Sequence, residues 1–216
     1  MSIDGINTEF CRVSIKGITP LLLDNGECAN PFHPIAQKKK ELNSKMKKTL
    51  SDYREICDLD WDGSIYWNDE LGAYIPVENI YKALHSAMKK HKLGPKICGI
   101  FLDQPIGYPI IAKNAKNKEA LKQNPENRLE KMAKVNNAKV LKTRVIFPEW
   151  AINITFDYEP DVLNRNDIKT IFLAMSRFVG IGVWTPASKI PGRYGKFLID
   201  GDIQFGEESK KTRKAA

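Results

Sequence analysis

Between Phe178 and Ile199 the chain reads Phe-Val-Gly-Ile-Gly-Val-Trp-Thr-Pro-Ala-Ser-Lys-Ile-Pro-Gly-Arg-Tyr-Gly-Lys-Phe-Leu-Ile. Four glycines (Gly180, Gly182, Gly192, Gly195) stand there among Trp184, Lys189, Arg193, Tyr194 and Lys196. Cations neutralise phosphates and aromatic rings stack on bases, so this mixture suits a nucleic-acid strand. Glycines allow tight turns and close backbone approach. Gly180 or Gly182 is expected to cap the preceding helix. Gly192 and Gly195, which flank Arg193-Tyr194, are expected to let a ligand or neighbour come close. Trp184 is the tryptophan in a basic, glycine-rich setting, whereas Trp61, Trp67 and Trp150 border turns and strands and read as packed. Trp184 is assigned to base stacking and Arg193 to a phosphate, the alternative being that Trp184 covers an edge of the core. No Gly-Lys-Ser/Thr opens a helix here, so the segment is not a phosphate loop of the Walker type.

Several elements must position this loop. Phe10 to Lys16 alternates, with Cys11, Val13 and Ile15 on one face and Arg12, Ser14 and Lys16 on the other, the pattern of a half-buried strand. Ile35 to Ile56 is charged and permits helix, and Gly63 to Ile75 reads as a hairpin. A helix is predicted from Pro76 to His91, with Val77, Ile80, Leu84, Ala87 and Met88 on its apolar face. Ile106 to Ala112, Val140 to Phe147 and Ala151 to Tyr158 are predicted strands. Asn164 or Asn166 can cap a second helix that runs to Val179. Lys196 to Phe205 closes the order as a strand. Strands with two amphipathic helices on one face make an α+β protein, and a ferredoxin-like β-α-β-β-α-β core of the RNA-recognition type fits the order.

The 216 residues suffice for one domain, assigned to 1–206, with 207–216 as a flexible tail. The formal charge is +8 and the sequence pI about 9.2, which favours an acidic partner. Lys113 to Arg144 holds ten basic and three acidic residues, net +7, and carries Asn124-Pro125. It reads as a long basic insertion between strands, partly disordered when free. Lys38 to Arg54 is net +5, readable as a solvated helix face, and Glu55 to Leu71 holds six acids and no base. No run of 18 apolar residues and no basic segment leading into an apolar one is present, so no membrane partner and a cytoplasmic location are expected. Cys11, Cys28, Cys57 and Cys98 form no Cys-x-x-Cys pair and read as buried small hydrophobes. His33, His85 and His91 lack metal-ligand spacing, so neither a metal nor another cofactor is expected.

Three segments together resemble the RAMP superfamily of CRISPR proteins, above all its crRNA-binding backbone subunits, and a group of phage-encoded relatives. They are Ser14-Ile-Lys-Gly-Ile-Thr-Pro-Leu-Leu-Leu23, Tyr74-Ile-Pro-Val-Glu-Asn-Ile-Tyr-Lys-Ala-Leu-His85 and the loop from Gly180 to Gly195. In the second, Val77-Glu78-Asn79 stands where the family has Gly-Ser-Ser, and Lys82 is the matching cation. The resemblance covers roughly 190 residues. It implies a modified RNA-recognition fold whose thumb is the 113–144 insertion, and protomers stacked side by side along single-stranded RNA. Members that cleave RNA use an Asp just after the first strand or a nearby His, places held here by Asp24 and His33. The stronger reading of Asp24-Asn25-Gly26 is a turn, and that of His33, between prolines, a loop residue.

The expected function is therefore non-catalytic binding of single-stranded nucleic acid, RNA before DNA, by a homo-oligomer or filament of phage or mobile-element origin. CRISPR-type proteins are possible partners. Arg12, Lys16, Lys82, Lys89, Lys131, Lys134, Lys139, Lys142, Arg144, Trp184, Lys189, Arg193 and Lys196 are the candidate contacts. A metal-independent endoribonuclease using His33 and a decoy that docks on a host CRISPR complex are the alternatives.

Overall fold

The computed structural model describes residues 2–3, 6–135 and 138–206, with the backbone alone described at 2, 3, 6, 27, 133–135 and 138. The proposed tail, 207–216, lies outside the described residues. After a short pairing of Ser2–Ile3 with Ile6–Asn7, the elements are β1 (Glu9–Gly17), β2 (Leu21–Leu22), α1 (Pro34–Ser44), α2 (Leu50–Asp62), β3 (Trp67–Asn68), β4 (Gly72–Pro76), α3 (Val77–Lys90), β5 (Ile100–Leu102) and β6 (Gly107–Pro109). There follow α4 (Lys118–Gln123), β7 (Arg128–Val135), β8 (Ala138–Phe147), β9 (Ala151–Tyr158), α5 (Arg165–Ala174), β10 (Phe197–Ile199) and β11 (Gln204–Phe205).

The architecture is α+β with antiparallel sheets. The central sheet has the order β10-β1-β9-β5, and β11 also pairs with β1. Its register sets Ile15 opposite Ile152, Val13 opposite Ile154 and Cys11 opposite Phe156. All six are buried, because a period of two sends every second side chain to the same face. Amphipathic α3 and α5 contribute Ile80, Leu84 and Met88, and Ile168, Ile171 and Phe172, to the same core. Phe172 stacks on Phe156 with centroids 5.9 Å apart. Asn164 caps α5 through a reciprocal pair with Asp167, and one widened turn, Met175–Val179, extends the helix until Gly180 ends it. On the other sheet face Lys16 and Asn153 stay exposed.

The described residues of the region 113–144 fall mostly into regular elements. They form α4 and most of a long hairpin, β7–β8, in continuous register from Arg128 opposite Val145 to Val135 opposite Ala138. The end of β8 then pairs with β2, Ile146 with Leu22 and Phe147 with Leu21. Helix α2 anchors the hairpin base. Buried Trp61 donates from Nε1 to Asn127 O at 2.9 Å, Asn127 donates to Ile146 O at 2.9 Å, and Val145 N–H donates to Ser64 Oγ at 2.8 Å. Other expectations shift less. The strand foreseen from Ile106 shrinks to Gly107–Pro109, since Pro109 has no N–H for a ladder, and the last strand breaks at Gly201 into β10 and β11. Of the four cysteines Cys11 and Cys57 are buried, but Cys28 is half-buried and Cys98 is exposed. No described helix is long and apolar enough to cross a membrane.

Two stability predictions follow from α2. Trp61→Phe keeps most of the apolar volume but strips Asn127 O of its donor, so it should cost about 1–3 kcal/mol in chemical denaturation. The helix start is a capping box of Thr49 and Asp52, reinforced by Lys45. Lys45, and then the Thr49 backbone and hydroxyl, push Asp52 down to about 2. A carboxylate held below its unfolded value stabilises fully above that value, about 3.9, and ceases to do so as the pH falls toward 2. Asp52→Asn should flatten that part of the acid unfolding curve.

Candidate nucleic-acid interface

The glycine-rich segment folds back on itself. Ile181 N–H donates to Gly195 O at 2.9 Å, Tyr194 N–H to Trp184 O at 3.2 Å and Gly192 N–H to Thr185 O at 3.0 Å. Two further bonds tie it to the stretch after β1: Val183 N–H to Leu22 O at 3.0 Å and Gly195 N–H to Pro20 O at 2.9 Å. Gly192 and Gly195 are required by this self-contact. A Cβ at Gly192 would lie 1.9 Å from Trp184 O, and one at Gly195 would lie 1.8 Å from Ile181 O. The expected close approach to a ligand or neighbour is therefore corrected at both positions: the space is filled by the loop's own backbone.

That folding delivers Trp184 and Tyr194 to the base of the basic hairpin. Trp184 adopts a positive φ of 52°, unusual for a bulky residue. Its ring lies 6.3 Å from that of Tyr194, which is buried. The Arg144 guanidinium sits 4.7 Å from the Trp184 centroid and donates from Nε and Nη2 to Asp24 at 3.1 and 2.9 Å. Lys131 Nζ lies 5.6 Å from the Tyr194 centroid and 5.9 Å from that of Trp184, and donates to the Tyr194 hydroxyl at 3.2 Å. Arg193 stands 5.9 Å from the Tyr194 ring. Cation–π contacts of this kind are worth about 0.5–1 kcal/mol at exposed sites.

Two grooves flank the cluster and share Asp24 and Val183 in their walls. One, of about 310 Å³, runs between α3 and the glycine loop, with Lys82, Asn79 and Ser86 on the helix side and Lys189 on the loop side. The other, of about 430 Å³, lies among α1, α2 and β8 and contains Lys39, Asp60 and Lys142.

Carboxylates sort the remaining cations. Asp58 takes Arg128 at 2.7 Å, Asp62 takes Lys122 at 2.6 Å and Lys118 at 3.9 Å, and Asp60 takes Lys39 and Lys142. Lys142 and Arg144 are thus engaged within the protein, whereas Lys82, Lys131, Lys189 and Arg193 have no carboxylate partner among the described residues. Lys139 is exposed on the hairpin, opposite Lys134, whose side chain lies outside the described residues. Arg12 and Lys16 lie on the outer face of the central sheet, and Arg12 stands 6.0 Å from the Phe10 ring. Lys89 is exposed in the last turn of α3. Lys196 is half-buried, its backbone bonded to Ile18 and Thr19. The structure thus gathers Lys131, Arg144, Trp184 and Arg193 at one cluster and Lys82 with Lys189 in one groove, apart from the sheet and helix-end candidates.

Neither candidate catalytic group is idle. Asp24 pairs with Arg144, and its carbonyl accepts from Tyr66 at 3.2 Å. His33 is the N-cap of α1, its Nδ1 accepting the Ile35 N–H at 3.3 Å, with Cys28 Sγ 3.9 Å away. No group of three His, Cys, Asp or Glu residues among the described residues is arranged to hold a metal ion. Lys39, Asp60, Tyr66 and Asn79 join the site without a motif to mark them. The acids of Glu55 to Leu71 facing the bases of the insertion were the available signal. No protein-family model matches the chain, and a search of curated proteins returns no match.

Gly195→Ala should cost more than about 2 kcal/mol by denaturant unfolding, since it combines a clash with a left-handed backbone. Gly201→Ala shares the positive φ, 78°, but meets nothing within 4 Å, and should cost only about 1 kcal/mol.

Proposed function

We propose that the protein binds single-stranded nucleic acid, RNA first and DNA second, along the groove between α3 and the glycine loop, without cleaving it. One observation carries this reading: Lys82 and Lys189 face a common groove and neither is ion-paired among the described residues, the carboxylate in the groove wall, Asp24, being taken by Arg144, while Asn79, Ser86 and Tyr66 supply neutral hydrogen-bonding groups beside them. Lys131 and Arg193 add cations beside the half-buried Trp184 ring and the buried Tyr194 ring. Backbone tracking by cations with aromatic stacking is how sequence-tolerant single-strand binders work.

The strand order supports the family reading. Taken as β1, β5, β9 and β10, the central strands follow the chain order β-α-β-β-α-β, with the spatial order four-one-three-two. This order supports a ferredoxin-like reading of the RNA-recognition type. The β7–β8 hairpin takes the place of a RAMP thumb, and side-by-side assembly along a strand belongs to the same reading. The partners already held by Asp24 and His33 favour binding over cleavage.

Lys82→Glu with Lys189→Glu should weaken binding of all sequences about equally, because phosphate contacts do not read bases. The salt slope should fall by roughly 0.7 per lost contact on a single strand. Fluorescence anisotropy on RNA and DNA of one sequence at several salt concentrations measures both quantities. A wild-type protein that binds neither strand at low salt would sink the proposal and favour docking on another protein.

A further inference from the structure

The second cleft raises a separate question of charge. Lys39 from α1 and Lys142 from β8 converge on one oxygen, Asp60 Oδ1, Lys142 at 3.6 Å and Lys39 in hydrogen-bond contact. The Asp60 side chain is only 6% exposed, and its other oxygen, Oδ2, has no hydrogen-bond partner among the described residues. The hydroxyl of Thr143, next to Lys142, has none either. One carboxylate cannot neutralise two ammonium groups, so a positive charge is left over in a partly desolvated place. Burial, and then Lys39, hold Lys142 below the usual lysine range against the pull of Asp60. The other charges on the wall, Arg144 and Asp24, are already paired with each other. Gly26 leaves open space beside them, since a Cβ there would meet nothing within 4 Å.

A ligand that completes this site must offer acceptors to two ammonium groups and a donor to Asp60. A phosphodiester or a carboxylate supplies only acceptors. A singly protonated phosphomonoester supplies both, through its anionic oxygens and its P–OH. The volume, about 430 Å³, is in the range of small-ligand sites, about 300–1,000 Å³.

We propose that the α1–α2–β8 cleft is a phosphomonoester site, in which Lys39 and Lys142 take the phosphate oxygens and Asp60, turning its buried Oδ2 toward the cleft, accepts the phosphate hydroxyl. The same chemistry is offered by a free mononucleotide and by the phosphorylated end of a strand. The cleft shares Asp24 and Val183 with the strand groove but does not depend on it.

Calorimetry on protein freed of nucleic acid tests the site with inorganic phosphate, AMP and adenosine. Phosphate and AMP should bind saturably and adenosine should not. Lys142→Met and, independently, Lys39→Met should each weaken AMP by about tenfold or more, a loss of about 1.4 kcal/mol. Lys82→Glu with Lys189→Glu should leave AMP binding unchanged, which separates this site from the groove. Thermal melts show which lysine variant is folded, and either one suffices. If RNA with a terminal phosphate binds about tenfold tighter than the same RNA with hydroxyl ends, and Lys142→Met removes the difference, the ligand is a strand end. If phosphorylation changes nothing while AMP binds, the ligand is a free mononucleotide. Absence of saturable phosphate and AMP binding overturns the proposal, as does full AMP affinity in a folded lysine variant.

Discussion

Backbone hydrogen bonding along Pro20–Leu23 is the constraint on which the other parts depend. An extended segment buried in a protein must satisfy its N–H and C=O groups on both edges. Here Leu21, Leu22 and Leu23 are buried. One edge bonds to β8, through the Leu21 and Leu22 pairings and from Leu23 N–H to Val145 O at 3.3 Å. The other edge receives the glycine loop, at Pro20 O and Leu22 O. A few residues leaving the first strand of the central sheet therefore fix the hairpin on one side and the loop on the other. Trp184 meets Arg144 and Lys131 because both are docked to this stretch.

Charge is distributed by a second, weaker constraint. Helix α2 presents Asp58, Asp60 and Asp62 to bases of the insertion and of α1. Exposed ion pairs are worth only about 0–1 kcal/mol each, so their main effect is not on stability. They decide which cations remain available. A stretch of net +7 read from sequence becomes a hairpin whose base is largely neutralised, with cations left near the loop and on α3 that have no carboxylate partner among the described residues. Partly desolvated, the same pairing has a different consequence: at Asp60 it leaves two lysines on one carboxylate and a positive charge in excess.

Local pattern made much of the fold legible. Ala151–Tyr158 occurs with the bounds its alternation predicts, and the helix predicted from Pro76 to His91 begins and ends within a residue of those bounds. Asn164, a good N-cap, caps α5. Arg128–Val135 was not legible as a strand, because lysines and glutamate interrupt its apolar residues and its partner β8 supplies the order. Ile100–Leu102 is too short to carry a period and is defined by its pairing with β9. At the candidate site, the types of residue in the glycine loop were visible, but the use of Gly192 and Gly195 was not, since it depends on which backbone lies opposite.

The local elements, the apolar faces of β1, β9, α3 and α5, and the basic, aromatic, glycine-rich loop after the second of these packed helices all follow from the order of residues along the chain. Those properties depend on neighbours a few residues apart. Long-range folding is what sets Lys131 over Trp184 and Tyr194 and Arg144 over Trp184, gives Asp24 its partner, and makes Lys39 and Lys142 share Asp60. These pairs are separated by up to a hundred residues or more, and a charge says nothing about its partner until folding brings the two within a few ångströms.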